Sequence, residues 1–202
     1  MLLGQDPIFE EVLLNPKILA MAEIMCGKGA ILSQLTSSVR GKGAGALMIH
    51  ADQNWTPAPF PVHNQMATFC WACDDFTRDG GATRVIPGTH VHRRHPNPQE
   101  MAAAEGAIAT ECPAGSVAFW DGSIWHGNWK RTVPGRRVVV HMTYARMSLR
   151  PVENYGFLGE DWLKDKPYQM RVLLGREDFL ESADNAIADS EIRERTLGWS
   201  QT

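Results

Sequence analysis

Residues 113–144, PAGSVAFWDGSIWHGNWKRTVPGRRVVVHMTY, carry the pattern that decides the predicted fold. The β-rich runs SVAFW and RRVVVHMTY are separated by Gly, Pro, Asp and Asn, which are typical turn residues. Similar short runs occur upstream, in ILSQLTSSVR, GALMIHAD, MATFCWAC, TRVIP and AIATECP. Regularly spaced short strands favour a β-sandwich or barrel over a βαβ fold. The sequence therefore predicts a mainly β core with about seven strands.

Helical patterns flank this core at both ends. Asn15 and Pro16 pair an N-cap residue with a proline at the first helical position. After Pro151 the helical pattern returns in EDWLKD, REDFLE and ADNAIADSEIRERTLG. We expect a single domain over residues 1–202, with N-terminal helices at 1–30, a β core at 31–150 and a C-terminal helical extension at 151–202.

The composition is that of a globular protein, with 44% hydrophobic and 21% charged residues. A formal net charge of −3 gives no general attraction to nucleic acid or to anionic membranes. No apolar run approaches the length of a transmembrane helix, and the first residues lack the pattern of a signal peptide. The four cysteines do not suggest a disulfide framework in a chain this long. We expect a cytoplasmic protein whose partner is a small molecule, with neither nucleic acid nor membrane as a partner; its oligomeric state is left open.

His50 and Asp52, in GALMIHAD, are two residues apart on a predicted strand, so their side chains point to the same face. An imidazole nitrogen and a carboxylate oxygen are suitable ligands for Fe(II), and a second histidine would complete a facial triad. A hydrogen-bonded polar pair at the end of a strand is the alternative. The short motif alone favours that alternative, because such triplets arise often by chance.

The second histidine has several candidates, namely His63, His90, His92, His95, His126 and His141. His126 is favoured because it follows a glycine turn near the start of a predicted strand. Its long separation from His50 also suits a roll of two sheets, in which distant strands become neighbours. By contrast, GTHVHRRH at residues 88–95 is interpreted as a solvated, positively charged loop.

Three motifs in order resemble the phytanoyl-CoA dioxygenase family. They are HAD at 50–52, DDFTRDGGATRVIPGTH at 74–90 and CPAGSVAFWDGSIWHGNWKRTVPGRRVVVHMTY at 112–144. The match covers roughly residues 30–150 and includes a distal histidine, His126, followed eleven residues later by Arg137. The resemblance implies a double-stranded β-helix, that is, a jelly roll of the cupin-like type with flanking helices. Relatives usually carry a further strand and helix before the HxD motif, so this chain is expected to begin partway through that segment.

The resemblance also implies roles for individual residues. His50, Asp52 and His126 would bind Fe(II) and form the catalytic centre. Arg137 would bind the distal carboxylate of 2-oxoglutarate, for which a guanidinium group is well suited. Its neighbour Arg136 faces the other side of the strand and is interpreted as a surface charge.

For the other candidate pocket residues, both a functional and a structural interpretation remain. Thr83 and Trp71 are candidates for contacts with 2-oxoglutarate, with ordinary strand and core packing as equal alternatives. Candidates for contacts with the substrate, some of them in an aromatic rim that suggests a substrate with apolar bulk, are Trp55, Asn128, Trp129 and His141. For His141, a hydrogen-bonded interior histidine is the favoured alternative. The CWAC motif at 70–73 is interpreted as two independent cysteines.

The function implied by the resemblance is that of an Fe(II)- and 2-oxoglutarate-dependent dioxygenase, an oxidoreductase that also consumes O2. It would hydroxylate a small metabolite with an apolar part, or a lipid-like molecule, and release succinate and CO2. Retention of Asp52 indicates a hydroxylase or desaturase, since halogenating relatives replace this carboxylate. The alternatives are a catalytically inactive jelly-roll binding module and a cupin-like metalloenzyme that does not use 2-oxoglutarate.

Overall fold

The computed structural model describes residues 1–176. Its helices are α1 (Ile8–Leu13), α2 (Pro16–Cys26), α3 (Pro98–Ala103), α4 (Glu160–Leu163) and α5 (Tyr168–Leu173). Its strands are β1 (Ile31–Gly41), β2 (Leu47–His50), β3 (Met66–Ala72), β4 (Thr83–Ile86), β5 (Ile108–Ala109), β6 (Val117–Asp121), β7 (Trp125–Asn128) and β8 (Arg136–Ala145). The helices predicted from REDFLE, apart from its first residue Arg176, and from ADNAIADSEIRERTLG lie outside the described residues.

The strands form two four-stranded sheets, in the orders β1-β8-β3-β6 and β2-β7-β4-β5. All neighbouring strands are antiparallel, and strands far apart in the chain, such as β2 and β7, are paired. This arrangement is the predicted jelly roll, so the mainly β fold is confirmed. The strands run from Ile31 to Ala145, within the predicted β core, while the assignment of residues 1–202 to a single domain stays a prediction.

The two central strands of the first sheet, β3 and β8, are buried along most of their length on both faces. On β8, the side chains of Arg137, His141 and Thr143 face the interior of the roll, and those of Met142 and Tyr144 face the N-terminal helices, as expected from strand alternation. The N-terminal segment and the helices cover the outer face with apolar side chains, including the fully buried Leu3 and Leu13, which belong to the same buried cluster as Leu32 of β1. Each such side chain contributes about 1.5–3 kcal/mol to folding. The helices thus pack against the outer face of the sheet, and the polar side chains of the inner face line the space between the two sheets.

The helix starts follow local chemistry. At α2, the Asn15 side chain accepts a hydrogen bond from the Lys17 amide at 3.1 Å, and Pro16 occupies the first turn, as the sequence predicts. At α3, Asn97 and Glu100 form a reciprocal capping box. Within the described residues, no helix is long and apolar enough to cross a membrane.

Candidate active site

The candidate metal centre lies where β2 and β7 pair. His50 and His126 are direct partners in this antiparallel pair, and the centroids of their rings are 4.4 Å apart. Asp52 follows β2 and returns its carboxylate to the same side. Its Oδ1 lies 3.4 Å from Nε2 of His126 and 3.8 Å from Nε2 of His50. One potential ligand atom from each residue lies within 4.8 Å of those of the other two.

Each of the three side chains is oriented by a second contact. Nδ1 of His50 lies 2.9 Å from the Met48 carbonyl, and Nδ1 of His126 lies 3.1 Å from the Ile124 carbonyl. Because a carbonyl can only accept, Nδ1 of each ring is the donor, and the Nε2 lone pairs are left for a metal. Oδ2 of Asp52 accepts a hydrogen bond from the Thr68 hydroxyl at 2.7 Å, and Oδ1 faces the Nε2 atoms of the two histidines. Two imidazole nitrogens and one carboxylate oxygen therefore fit a divalent metal such as Fe(II).

Without a metal, the electrostatics of the triad favour the metal-binding protonation states of Asp52 and His50, and they favour a proton on His126. Burial would raise the pKa of Asp52, but the charge and hydrogen bond of His126, together with the Thr68 hydroxyl, hold that pKa well below its usual range. Burial lowers the pKa of His50, and neighbouring His126 lowers it further. Burial opposes the charge on His126, but Asp52 raises its pKa overall. A metal ion would displace the proton that His126 and Asp52 attract between them.

A cavity of about 310 Å³ opens between the two sheets next to the triad. Most of its lining side chains carry hydroxyl, amide or imidazole groups. Beyond the triad, the lining residues are Gln34, Thr36, Ser37, Ser38, Leu47, Thr68, Thr83, Trp120, Asn128, His141 and Thr143. We call this space the triad pocket.

Arg137 lies on the same inner face of β8 and is 1% exposed. Its guanidinium donates to the Gly81 carbonyl and lies 4.9 Å from the centre of the Phe76 ring. Its Nε has no hydrogen-bond partner, and no carboxylate forms a salt bridge with it in residues 1–176. Burial, helped by nearby Arg40, lowers its pKa to about 10. A buried cation without a counter-charge is unfavourable, so this environment is suited to an anionic ligand.

The structure brings three further predicted residues to the triad pocket. Thr83 and Asn128 face each other from β4 and β7, with Asn128 Nδ2 3.4 Å from the Thr83 hydroxyl. His141 lies between two polar partners, with Nε2 3.2 Å from the Ser38 hydroxyl and Nδ1 3.1 Å from the Cys70 sulfur. Burial, together with the charge of Arg137, lowers the pKa of His141 to about 4.

Three other predicted residues lie elsewhere. Trp71 is half-buried on the outer face of β3, where it packs against the helical core. Trp129 lies between two guanidinium groups, those of Arg78 at 4.3 Å and Arg84 at 5.2 Å from its ring centre. Trp55 is 72% exposed and lines a second cavity. Neither these three residues nor Arg137 is among the residues that line the triad pocket.

Sequence reasoning did not single out Thr68, which holds Asp52 from the opposite sheet. It also missed the polar residues of β1, including Gln34 and Ser38, that line the pocket. The available signal was the polar alternation in ILSQLTSSVR, which places Gln34, Thr36 and Ser38 on one strand face. Using that signal required knowing that β1 pairs with β8.

Two antiparallel sheets that enclose two histidines and an aspartate define a double-stranded β-helix of the cupin-like class with a candidate metal centre. A family model described as phytanoyl-CoA dioxygenase (PhyH) matches residues 3–138, more than half of the chain. The chain belongs to this family, as its motifs predict.

The chain is also similar to individual curated proteins. An uncharacterized protein of Mycobacterium bovis, Mb1539, is 27% identical over 180 residues, which are 87% of this chain and 65% of that protein. Dioxygenase af480 of Aspergillus fumigatus is 24% identical over 152 residues, which are 74% of this chain and 48% of that protein. The chain thus spans about half to two thirds of the length of these two curated relatives.

Among solved structures, the chain is similar to HygX from Streptomyces hygroscopicus with nickel and 2-oxoglutarate bound. The TM-score is 0.61 at 13% identity, over 73% of this chain and 71% of HygX. At this identity the likeness shows the shared fold.

Proposed function

We propose that the protein is an Fe(II)- and 2-oxoglutarate-dependent dioxygenase that hydroxylates a small molecule. The observation that carries this proposal is the convergence of three ligand atoms, from His50, Asp52 and His126, each oriented by its own hydrogen bond. Membership of the phytanoyl-CoA dioxygenase family supports it, as does the likeness to HygX, whose structure contains nickel and 2-oxoglutarate.

The chain's own residues would have distinct roles. Bound Fe(II) would supply the redox chemistry that couples O2-dependent decarboxylation of 2-oxoglutarate, giving succinate and CO2, to hydroxylation of the substrate. Thr68 keeps the Asp52 carboxylate turned so that one oxygen faces the histidines. Arg137 binds the distal carboxylate of 2-oxoglutarate, because it is a buried cation that lacks a protein counter-charge. Trp120, whose ring centre is 4.9 Å from that of His126, helps to exclude water from the metal side of the pocket.

The test separates this function from the two alternatives. Fe(II) and 2-oxoglutarate are added to the protein without oxygen, and their binding is measured by calorimetry and by visible absorption. Air is then admitted, and succinate is quantified. We expect both ligands to bind and succinate to form. Bound iron and 2-oxoglutarate without succinate formation with any substrate class would indicate the binding module. Bound iron without 2-oxoglutarate binding would indicate the cupin-like metalloenzyme.

Matched variants assign the ligands. His126→Ala should abolish stoichiometric iron binding, whereas His63→Ala, which removes an exposed histidine, should not change it. Arg137→Gln should weaken 2-oxoglutarate binding at least about tenfold, because it removes a charge-assisted contact. Arg136→Gln removes the same charge from the exposed neighbouring residue and should have no effect. Retained iron binding in His126→Ala would refute the triad.

A further inference from the structure

A second cavity, of about 470 Å³, lies at the end of the roll that carries the metal ligands. Its walls come from the loop after Asp52, the starts of β1 and β3, the end of β8 and the segment that follows β8. The lining residues are Ser33, Gln53, Trp55, Thr56, Gln65, Met66, Ala145, Leu149, Arg150, Pro151 and Val152. We call this space the mouth cavity.

The mouth cavity is next to the triad pocket along three strands of the first sheet. On each strand, a residue that lines the triad pocket is one or two positions from a residue that lines the mouth cavity. These pairs are Gln34 and Ser33 on β1, Thr68 and Met66 on β3, and Thr143 and Ala145 on β8. Two residues along a strand span about 6.6 Å. In the loop after β2, Asp52 lines the triad pocket and the next residue, Gln53, lines the mouth cavity. A molecule in the mouth cavity therefore lies beside the metal ligands.

Part of the wall of the mouth cavity is apolar. Met66 and Ala145 belong to a small buried cluster against which Leu149 packs. Trp55 adds an indole that is 72% exposed, although it lines the cavity. An exposed tryptophan beside a cavity offers a large apolar surface that a ligand can cover. These side chains favour a ligand with an apolar body.

The wall also contains an incompletely paired polar group. Gln53 is 2% exposed, and its Nε2 donates to the Ser123 hydroxyl at 2.5 Å. Its Oε1 has no hydrogen-bond partner within residues 1–176. Buried amide groups are normally satisfied, so this free end is suited to contact with a ligand.

Among residues 1–176, Arg150 is the one charged side chain that lines the mouth cavity, and none of the lining residues is acidic. Arg150 is exposed and has no hydrogen bond or ion pair with any residue in the described part of the chain. The cavity therefore carries a net positive charge. A guanidinium group at the edge of an apolar cavity favours a ligand that ends in a carboxylate.

We infer that the mouth cavity binds the substrate and that the substrate is an organic acid with an apolar body. This inference rests on the proposed function, because it takes the neighbouring triad to be the oxidising centre. The apolar body packs against Trp55, Met66 and Leu149, next to the triad. The carboxylate faces Arg150, away from the triad. The oxidised position is then remote from the acid group.

Binding is tested apart from turnover, on the full chain saturated with Ni(II) and 2-oxoglutarate. Octanoate and octan-1-ol are titrated by calorimetry, because they share an eight-carbon chain and differ in charge. Octanoate should bind about fivefold more tightly, the upper value for an exposed ion pair. Arg150→Gln should remove this preference, and Arg136→Gln, at an exposed position on β8, should retain it. Trp55→Ala should weaken the binding of both probes about tenfold. Phe157 is 56% exposed and lies outside the mouth cavity, so Phe157→Ala should not change their binding.

Each outcome decides the inference. Equal binding of the two probes, or a preference unchanged in Arg150→Gln, would overturn the assignment of an acid. Binding unchanged in Trp55→Ala would place the probes outside the mouth cavity. Binding of a neutral polyol such as sorbitol, and of neither octyl compound, would overturn the apolar body. If 2-oxoglutarate binds and succinate forms while these results fail, only the inference is refuted. If 2-oxoglutarate does not bind the folded chain, the proposed function is refuted.

Discussion

The hydroxyl of Thr68 should set the affinity of the metal centre, and Thr68→Val tests this. The substitution keeps the shape of a side chain that is 6% exposed and removes the 2.7 Å hydrogen bond to Asp52 Oδ2. A hydrogen bond to a charged group contributes about 1.5–3 kcal/mol. At about 1.4 kcal/mol per factor of ten, metal affinity should fall about 10- to 100-fold. The pKa of Asp52 should rise as well, because one cause of its depression is lost.

The assay is a calorimetric titration of the metal-free protein with Ni(II) across a range of pH. Thr68→Ser restores the hydroxyl and should recover most of the affinity. The pH at which half of the protein binds metal should be higher in Thr68→Val than in the wild type, since the carboxylate must be ionised to act as a ligand. An unchanged affinity in Thr68→Val would refute this reasoning. So would an equal loss in Thr68→Ser.

Three other predictions concern stability and assembly of the site. In the metal-free protein, the free energy of unfolding should fall as pH drops from about 6.5 to 4. The pKa of His141 is lowered to about 4 in the folded state, so over this range the unfolded chain binds a proton that the folded chain does not. Chemical denaturation should show a smaller fall in the His141→Gln variant. Leu32→Ala, at a fully buried position, should lower the free energy of unfolding by about 2–5 kcal/mol, while Val39→Ala on the exposed end of β1 should cost less than about 1 kcal/mol. Gly127→Ala should weaken Ni(II) binding, because a Cβ there would lie 2.5 Å from the Leu47 carbonyl and push β2 away from β7.

The parts of the site that the sequence predicts are those fixed by local geometry. Spacing by two places His50 and Asp52 together on any strand, and a glycine-flanked histidine at the start of a strand is a limited choice. That His126 pairs with His50 is a long-range fact, which followed from the family resemblance and not from either segment alone. The same holds for Arg137, whose exposed neighbour Arg136 has the same side chain.

The faces of β3 were beyond sequence reasoning for a physical reason. MATFCWA is buried along almost its whole length, since helices cover one face and the second sheet covers the other. Such a strand has no polar alternation, so its pattern does not reveal which residues face inward. The resemblance made Trp71 a candidate for contact with 2-oxoglutarate, with core packing as an equal alternative, and Trp71 packs against the helices. Thr68, which the sequence did not single out, lines the pocket.

Aromatic residues in the loop after Asp52 illustrate the same difficulty. Trp55 and Phe60 are five positions apart in a stretch rich in proline, and the local sequence does not indicate which of the two is buried. Phe60 is fully buried with Ile49 and Ala51, while Trp55 is 72% exposed. Their different environments depend on how the loop folds onto the second sheet, which no local pattern specifies.

The pairing of β2 with β7 has a consequence for the apo protein. β2 is four residues long, lies at the edge of its sheet, and has an irregular register between Leu47 and His50. Two of its residues, Leu47 and Met48, are 42% and 63% exposed. Short exposed edges of this kind can pair with other chains when they loosen. A metal ion bound by His50 on this edge and by His126 on the neighbouring strand would fasten the edge in place, so metal depletion should favour aggregation.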